Sequence, residues 1–245
     1  MKASPTEQKE LLRLQALDIK LQQVQHQAKA LPQHAELAEL GRALDASKTV
    51  LTGRIGEVED AQIELRRIES DVEVVEKRIA RDTDRAQHTS SMKDVHALES
   101  ELTALGARLA ALEEIELAVM ERLEEKEAAV AETETERAAV AGRVAGIEAD
   151  RDALLVDLNR QLGELARDRI AIVSAIGEDL SALYEKRRVA GRGNAASLLR
   201  ARTCSGCTMT LTGNDLEDVR AAPADDIVFC PDCGAILVRT EESGI

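Results

Sequence analysis

The sequence predicts a mainly α-helical protein, in which a long antiparallel hairpin of coiled-coil helices precedes a small β-rich module. The prediction rests on a composition typical of long helices, on heptad repeats that persist over many turns, and on a change of pattern near residue 190. The 245 residues include one Tyr, one Phe and no Trp, and 32% of them are charged. Chains of this kind favour coiled coils over thick globular cores.

The first helix has a clear start and a clear end. Ser4 is a candidate N-cap, Pro5 suits the first helical position, and Glu7 completes a capping box. Pro32 interrupts the helix. Between these points apolar residues recur every three or four positions, at Leu14, Leu17, Leu21, Val24, Ala28 and Leu31.

The second helix keeps one heptad frame from Leu37 to Ile79, in a register that does not continue that of the first helix. A repeat of this length indicates a coiled coil. Eleven of its thirteen seam positions are apolar: Leu37, Leu40, Leu44, Ser47, Leu51, Arg54, Val58, Ala61, Leu65, Ile68, Val72, Val75 and Ile79.

A polar stretch near residues 83–92 predicts the hairpin turn, around Thr89 and Ser91. The third helix then runs to about residue 188, with its seam starting at Val95, Leu98, Leu102, Leu105, Leu109 and Leu112. Its charged seam positions include Glu116, Lys126, Arg137, Arg151 and Asp168. Glycines inside the second and third helices, including Gly163 and Gly177, are interpreted first as tolerated surface residues and otherwise as bending points.

Helix lengths favour a hairpin closed within one chain. The first two helices contain about 80 residues, or roughly 120 Å, and the third about 97 residues, or roughly 145 Å. These lengths nearly match, so residues 1–190 are predicted to form an antiparallel coiled-coil hairpin. A parallel dimer is the alternative, but it would not explain the polar break midway.

Residues 191–245 lack the heptad repeats of the preceding helices and predict a small ribbon. Strands are expected at 195–202, 227–229 and 235–239, with a short helix at 213–222. Cys204-Ser-Gly-Cys207 and Cys230-Pro-Asp-Cys233 form two C-x-x-C pairs separated by 22 residues, a strong signal for zinc. Gly206 and Gly234 are expected to provide backbone freedom in these turns.

Four thiolates would leave no open coordination position, so the site is predicted to hold one structural Zn²⁺. A module this small would need the metal to fold. A redox role for one C-x-x-C pair is the alternative, but the βαβ unit that usually accompanies it is absent. The predicted fold class is therefore a long antiparallel coiled-coil helical hairpin with a small C-terminal β-rich zinc ribbon.

Charge is distributed unevenly along a chain whose net charge is −14. Residues 184–202 form a basic neck between two acidic regions. The neck is interpreted either as a contact for phosphate or an acidic protein surface, or as internal pairing and helix-dipole complementation. The candidate partner or phosphate contacts are Lys186, Arg187, Arg188, Arg192, Arg200 and Arg202.

The sequence does not indicate a membrane protein, a secreted protein or an enzyme. No apolar segment is long enough to span a membrane, and the N-terminus lacks the apolar region of a signal peptide. We therefore expect a cytoplasmic protein. The motifs G-x-x-x-x-G-K, G-x-S-x-G and H-E-x-x-H are absent, so no catalytic residues or small-molecule substrate are expected.

The chain resembles bacterial coiled-coil proteins that carry a C-terminal C4-type zinc ribbon. The resemblance covers nearly the whole length, including the Ser-Pro start, the segment Ser91–Glu101 after the turn and the C-S-G-C…C-P-D-C-G pattern. It implies a zinc-bearing hairpin in proteins described as nucleic-acid-binding or regulatory, some linked to an alternative sigma factor, flagellar expression or secretion. The family often has a basic residue after C-x-x-C-G, where this chain has Ala235.

These features predict a non-enzymatic adaptor whose ribbon and neck bind a protein of the transcription machinery or a nucleic acid. The alternative is a protein-only scaffold, chaperone-like, that serves secretion or envelope machinery without binding nucleic acid.

Overall fold

The computed structural model describes residues 1–191 and 193–245, and these contain five α-helices and four short strands. The helices are α1 (Pro5–Lys29), α2 (Pro32–His88), α3 (Met92–Ile176), α4 (Glu178–Ala190) and α5 (Gly213–Ala221). The strands are β1 (Ala196–Arg200), β2 (Thr203–Cys204), β3 (Val228–Phe229) and β4 (Ile236–Val238), followed by a single 3-10 turn (Glu241–Ser243).

The chain divides into two compact units. One unit is Ala35–Glu148, and the other combines Met1–His34 with Ala149–Ile245. In the described residues, no helix combines the length and the apolar character that a membrane span requires.

The unit Ala35–Glu148 is an antiparallel pair of helices. Its buried seam includes Ala61, Ile68 and Val75 on α2 and Leu98, Leu112 and Val119 on α3. The start of α2 packs against the later part of α3, and the end of α2 packs against the start of α3. Arg137 Nη1 donates to the Leu44 carbonyl oxygen at 2.8 Å, whereas Arg78 forms an ion pair with Glu101. The pairs Lys126–Glu57 and Arg122–Glu64 lie between these levels. The predicted hairpin is therefore confirmed.

The hairpin turn occupies Thr89–Ser91, inside the predicted range. Helix α2 ends at His88 and α3 begins at Met92. The Asp94 amide lies 3.4 Å from Ser91 Oγ, a long hydrogen bond in keeping with a weak cap. Three polar residues without seam character are enough to reverse the chain.

The third helix is interrupted, contrary to the prediction of one continuous helix to about residue 188. Helix α3 stops at Ile176, Gly177 has φ +80° and ψ 163°, and α4 starts at Glu178. A residue with a side chain rarely adopts this conformation, so the interpretation of Gly177 as a tolerated surface glycine was wrong. The break lets Ile176 and Leu180, on either side of it, enter the same core.

The seam of α3 also shifts in the unit formed by Met1–His34 and Ala149–Ile245. Asp168, predicted on the seam, is exposed, and the neighbouring Arg169 is partly buried in its place. Leu154 is likewise exposed, whereas Leu155 is partly buried. Here α3 packs against α1, whose heptad register differs from that of α2, and the buried stripe follows the new partner.

The ribbon is a four-stranded sheet with the order β2-β1-β4-β3. Strands β1 and β4 are parallel, with Ala196 opposite Ile236, and the other two pairings are antiparallel. The N-terminus packs onto this module. The Ala3 amide donates to the Asp225 carbonyl oxygen at 2.8 Å, and the backbone of Lys2 forms an isolated antiparallel β-bridge with that of Asp226. Strands β1, β3 and β4 and helix α5 lie within the predicted ranges, whereas the short strand β2 was not predicted.

Two apolar clusters hold this unit together. The first joins α1, α3 and α4 to the sheet through buried residues such as Leu11, Leu14, Ile176 and Ile236. The second lies inside the ribbon and includes Leu199, Leu237 and Val219 together with Cys204 and Cys230. The second cluster places the cysteines at the edge of the ribbon core.

Candidate metal centre

The first pair of cysteines lies in a tight turn after β2. The Thr208 amide donates to the Cys204 carbonyl oxygen at 2.8 Å, and the Cys204 amide donates to the Met209 carbonyl oxygen at 2.9 Å. Gly206 is required here for space and not for a positive φ, because a Cβ at this position would collide with the side chains of Asn194 and Ser197. The expected role of Gly206 is corrected accordingly.

The second pair lies in the turn between β3 and β4. The Cys230 amide donates to the Ala235 carbonyl oxygen at 2.8 Å, and the Gly234 amide donates to the Cys230 carbonyl oxygen at 2.9 Å. Gly234 has φ +72°, a left-handed conformation that glycine adopts without strain. The two turns bring their sulfur atoms into one cluster.

The four sulfur atoms lie close enough to share one metal ion. All four Sγ atoms lie within 4.8 Å of one another. Cys204 Sγ is 3.9 Å from Cys233 Sγ, and Cys207 Sγ is 3.6 Å from Cys230 Sγ. Four thiolates at the usual Zn–S distance of about 2.3 Å in a tetrahedron would be about 3.8 Å apart. The donor set and its spacing fit zinc.

The surroundings affect the thiols differently. Burial disfavours the Cys204 thiolate, but hydrogen bonds from the backbone amides of Cys207 and Gly206 and from the Ser197 side chain outweigh it, so the pKa of Cys204 is lowered. Burial raises the pKa of Cys230, and it raises the pKa of Cys233 to about 12. Zinc must therefore displace protons from thiols that would otherwise stay neutral.

Four thiolate ligands complete a tetrahedral zinc site and leave no open position for a substrate or water. Such a site supplies folding energy and no Lewis-acid chemistry. One structural zinc ion held by Cys204, Cys207, Cys230 and Cys233 is consistent with every distance above. The cofactor prediction is confirmed.

The basic neck does not present all its cations to solvent. The Arg188 guanidinium contacts Glu185 at 2.8 Å and Asp18 at 3.8 Å. The Arg187 guanidinium lies over the ring of Phe229. Both side chains therefore have contacts within the protein.

The remaining neck cations are more accessible. Lys186 and Arg202 are exposed, and the exposed Arg200 pairs with Glu242 at 3.2 Å. Arg192 lies outside the described residues. Their role as partner contacts stays a prediction.

Sequence reasoning missed a buried polar cluster where α1 meets the neck. Gln15 Oε1 accepts hydrogen bonds from the amides of Ala195 at 2.7 Å and Ala196 at 3.2 Å, and its Nε2 donates to the Gly193 carbonyl oxygen at 2.8 Å. Asp18 accepts from Tyr184 Oη at 2.8 Å and from Arg169 Nε at 2.7 Å. The signal was polar residues on the apolar face of the first helix, at Gln8, Gln15 and Asp18.

Comparisons with known proteins agree with this architecture. Residues 14–192 match the CT398-like coiled coil hairpin domain, and residues 203–237 match the C4-type zinc ribbon domain. The uncharacterized proteins MT2288 and Rv2229c of Mycobacterium tuberculosis are each 32% identical to this chain over 244 residues, which covers 98% of this chain and 98% of theirs.

Solved structures show the same fold. A Mycobacterium smegmatis protein has a TM-score of 0.84 and 34% identity, with 98% of this chain and 100% of that chain covered. CT398 from Chlamydia trachomatis has a TM-score of 0.66 and 21% identity, with 95% and 97% covered, and is similar in fold. The chain therefore belongs to the family of CT398-like coiled-coil hairpin proteins, and it carries a C-terminal C4-type zinc ribbon.

Proposed function

We propose that the protein is a non-enzymatic adaptor, in which the ribbon and the neck bind one partner and the coiled coil offers a second surface. The observation that supports this most is the exposure of Lys186, Arg200 and Arg202 beside a closed metal site. A zinc ion enclosed by four thiolates organises a binding module and has no position for a reacting ligand. The cytoplasm remains the expected location.

The chemistry of the exposed cations suits an anionic partner. Residues 203–245 contain eight acidic residues and two arginines, and the coiled coil is also acidic. Exposed cations between two acidic segments of the sequence attract phosphate or carboxylate groups. A nucleic acid or an acidic surface of a transcription protein fits this description.

The number of available cations limits how strongly phosphate could be bound. Arg200 pairs with Glu242 on the surface, and such a pair is worth only about 0–1 kcal/mol, so a phosphate could replace the carboxylate. If Lys186, Arg200 and Arg202 each contact a phosphate, the slope of log K against log salt would be about −2 to −3.

Binding of RNA and duplex DNA should therefore be measured by fluorescence anisotropy at several salt concentrations. The variant carrying Lys186→Gln, Arg200→Gln and Arg202→Gln should lose most of the affinity. A control carrying Lys9→Gln, Lys20→Gln and Lys29→Gln makes the same charge change on exposed α1 positions and should bind normally. Failure to bind either nucleic acid at low salt would reject this form of the adaptor.

A protein-only scaffold is the second candidate, and the aromatic residues favour it. Tyr184 is fully buried, and one face of the Phe229 ring is covered by the Arg187 guanidinium at 4.2 Å. The sequence contains no other aromatic side chain of the Phe, Tyr or Trp type. Bases would thus lack the stacking surfaces on which single-strand binders depend.

Affinity capture with the full chain separates the two candidates. Recovery of polymerase or sigma factors that is lost in the triple neck variant supports the first. Recovery of secretion or envelope proteins that persists in that variant supports the scaffold. The Lys9, Lys20 and Lys29 variant again controls for net charge.

A further inference from the structure

Among the neck cations that the structure describes, Arg187 differs because its guanidinium lies over the Phe229 ring of the ribbon. It lies on α4, one turn after the buried Tyr184. Its guanidinium carbon is 4.2 Å from the centroid of the Phe229 ring. Its Nε atom is buried, and no hydrogen-bond partner for it is found in the described part of the chain. A charge in this position acts inside the protein.

The same guanidinium reaches the second cysteine turn. Arg187 Nη1 is 3.5 Å from the position that a Cβ of Gly234 would occupy. Phe229 immediately precedes Cys230, and Gly234 immediately follows Cys233. The Arg187 side chain therefore contacts Phe229 and lies near Gly234, the residues on either side of the Cys230–Cys233 turn.

Electrostatics makes this contact relevant to the metal. A zinc ion with four thiolate ligands carries an excess of two negative charges, and Asp232 adds another within the same turn. Cys230 is buried and Cys233 is half-buried, so water solvates negative charge on these sulfurs poorly. A nearby cation offsets both effects, since charges interact more strongly away from bulk water.

Arg239, an arginine of the ribbon, binds main-chain groups away from the cysteine turn. Arg239 donates from Nη1 and Nη2 to main-chain carbonyl oxygens at Val219, Ala222, Pro223 and Asp226. These bonds hold the segment between α5 and β3. Among the arginines that the structure describes, Arg187 lies over Phe229 and near Gly234, beside the cysteine turn.

We propose that Arg187 is a positioning residue of the zinc centre, which supplies a counter-charge to the thiolates through the Cys230–Cys233 turn and anchors α4 to that turn. It contributes to zinc affinity without touching the metal. Groups that hydrogen-bond metal ligands typically change affinity by about 10–100-fold when they are mutated, and a residue that acts through its charge alone should lie at the lower end of this range.

The test is zinc affinity of the full chain, measured by competition with a chromophoric chelator. Arg187→Met removes the charge and keeps a long apolar stem over Phe229, and it should weaken zinc binding by about tenfold. Arg187→Lys keeps the charge but loses the planar group that stacks on Phe229, so its zinc affinity should lie between those of the wild type and Arg187→Met. Lys186→Met is the matched control on the adjacent, exposed position, and its affinity should be unchanged.

Ionic strength provides a readout that a packing role would not alter. The screening length falls to about 3 Å near 1 M salt, so the difference between the wild type and Arg187→Met should shrink as salt increases. The rate of cysteine alkylation in the zinc-loaded protein should rise more in Arg187→Met than in Arg187→Lys.

Two results would overturn the proposal. One is an affinity for Arg187→Met within twofold of the wild type. The other is equal weakening in the Met and Lys variants with no dependence on salt, which would assign Arg187 a purely steric role. Helical circular dichroism of each variant, recorded with saturating zinc, shows that the compared proteins are folded.

Discussion

Tyr184 is the single tyrosine of the chain, and it connects α4 to α1. Its ring is fully buried, and its hydroxyl group donates to Asp18, which also accepts from Arg169. Burial, followed by the hydrogen bond to Asp18, raises the pKa of Tyr184 well above its usual range. Both contributions favour the neutral phenol in the folded state.

The stability of the protein should consequently fall at alkaline pH. In the unfolded chain Tyr184 ionises near pH 10, whereas in the folded chain it stays neutral. Tyr184 therefore contributes its full stabilisation to the folded state below about pH 10. As the pH rises further, the free energy of unfolding falls by up to about 1.4 kcal/mol per pH unit.

Absorbance of tyrosinate reports this group alone, so the folded protein should titrate well above the denatured one. Tyr184→Phe should lose about 1–2 kcal/mol at neutral pH and show a flatter decline above pH 10. Coincident titration curves for the folded and denatured proteins would contradict the structure at this residue.

Gln15 connects α1 to the neck through three hydrogen bonds to backbone groups at Gly193, Ala195 and Ala196. Its side chain is 6% exposed, so water cannot readily replace these bonds. A buried backbone group that loses its partner costs about 1–3 kcal/mol. Gln15 therefore stabilises the start of β1.

Gln15→Leu should destabilise the protein by about 2 kcal/mol or more in chemical unfolding. Hydrogen exchange should accelerate at the amides of Ala195 and Ala196 in particular. Gln25→Leu makes the same change at an exposed position of α1 and should have little effect. Unchanged exchange at both amides would show that Gln15 does not hold this segment.

At the scale of the elements, Gly177 decides where α3 ends. Its φ of +80° places it in a conformation that costs a residue with a side chain about 1–3 kcal/mol. Gly163, in contrast, lies inside α3, and a Cβ there would meet open space. The same substitution should therefore have opposite effects at these two positions.

Gly177→Ala should lower the free energy of unfolding by about 1 kcal/mol or more. Gly163→Ala should raise it by about 0.5–1 kcal/mol, because alanine is the better helix former. Thermal unfolding of both variants beside the wild type is sufficient. A stabilised Gly177→Ala would mean that α3 and α4 form one continuous helix.

Helix pairing also decides which residues of α3 are buried. A heptad frame extrapolated from residue 95 places Asp168 on the seam, but the partly buried residue is Arg169. Arg169 reaches Asp18 on α1 and Glu185 on α4. Because of the change of register, the charged residue on the seam is Arg169, which has two carboxylate partners, and not Asp168.

At the scale of the whole molecule, the ribbon and the helices are stabilised by different means. The ribbon core is small and includes Cys204 and Cys230 themselves. Structural zinc contributes about 10–16 kcal/mol to the folding of small metal-binding peptides. The long helices depend on hydrogen bonds within each helix and on their seams.

Removal of zinc should unfold the cysteine turns while most of the helical signal remains. With a strong chelator, four thiols should become reactive to a thiol reagent, and circular dichroism should retain most of its helical intensity. Cys207→Ser should reproduce this state without a chelator. A large loss of helix on zinc removal would show that the ribbon is needed to hold the helices together.

The sequence by itself determined the features that depend on neighbouring residues along the chain. The heptads predict the coiled coil, the polar stretch around Thr89 predicts the turn, and Ser4 with Glu7 forms the predicted capping box. The spacing of Cys204, Cys207, Cys230 and Cys233 predicts the zinc site, because a C-x-x-C turn brings two sulfurs together locally.

Only the tertiary structure decided the features that depend on residues distant in sequence. The partners of Gln15 lie about 180 positions away, and Arg187 meets Phe229 through the docking of α4 on the ribbon. Nothing in the local pattern of the neck distinguishes Arg187, which packs inward, from Lys186, which faces solvent. The direction of a side chain and the end of a helix at Gly177 follow from which surfaces pack together, and packing is a property of the folded chain.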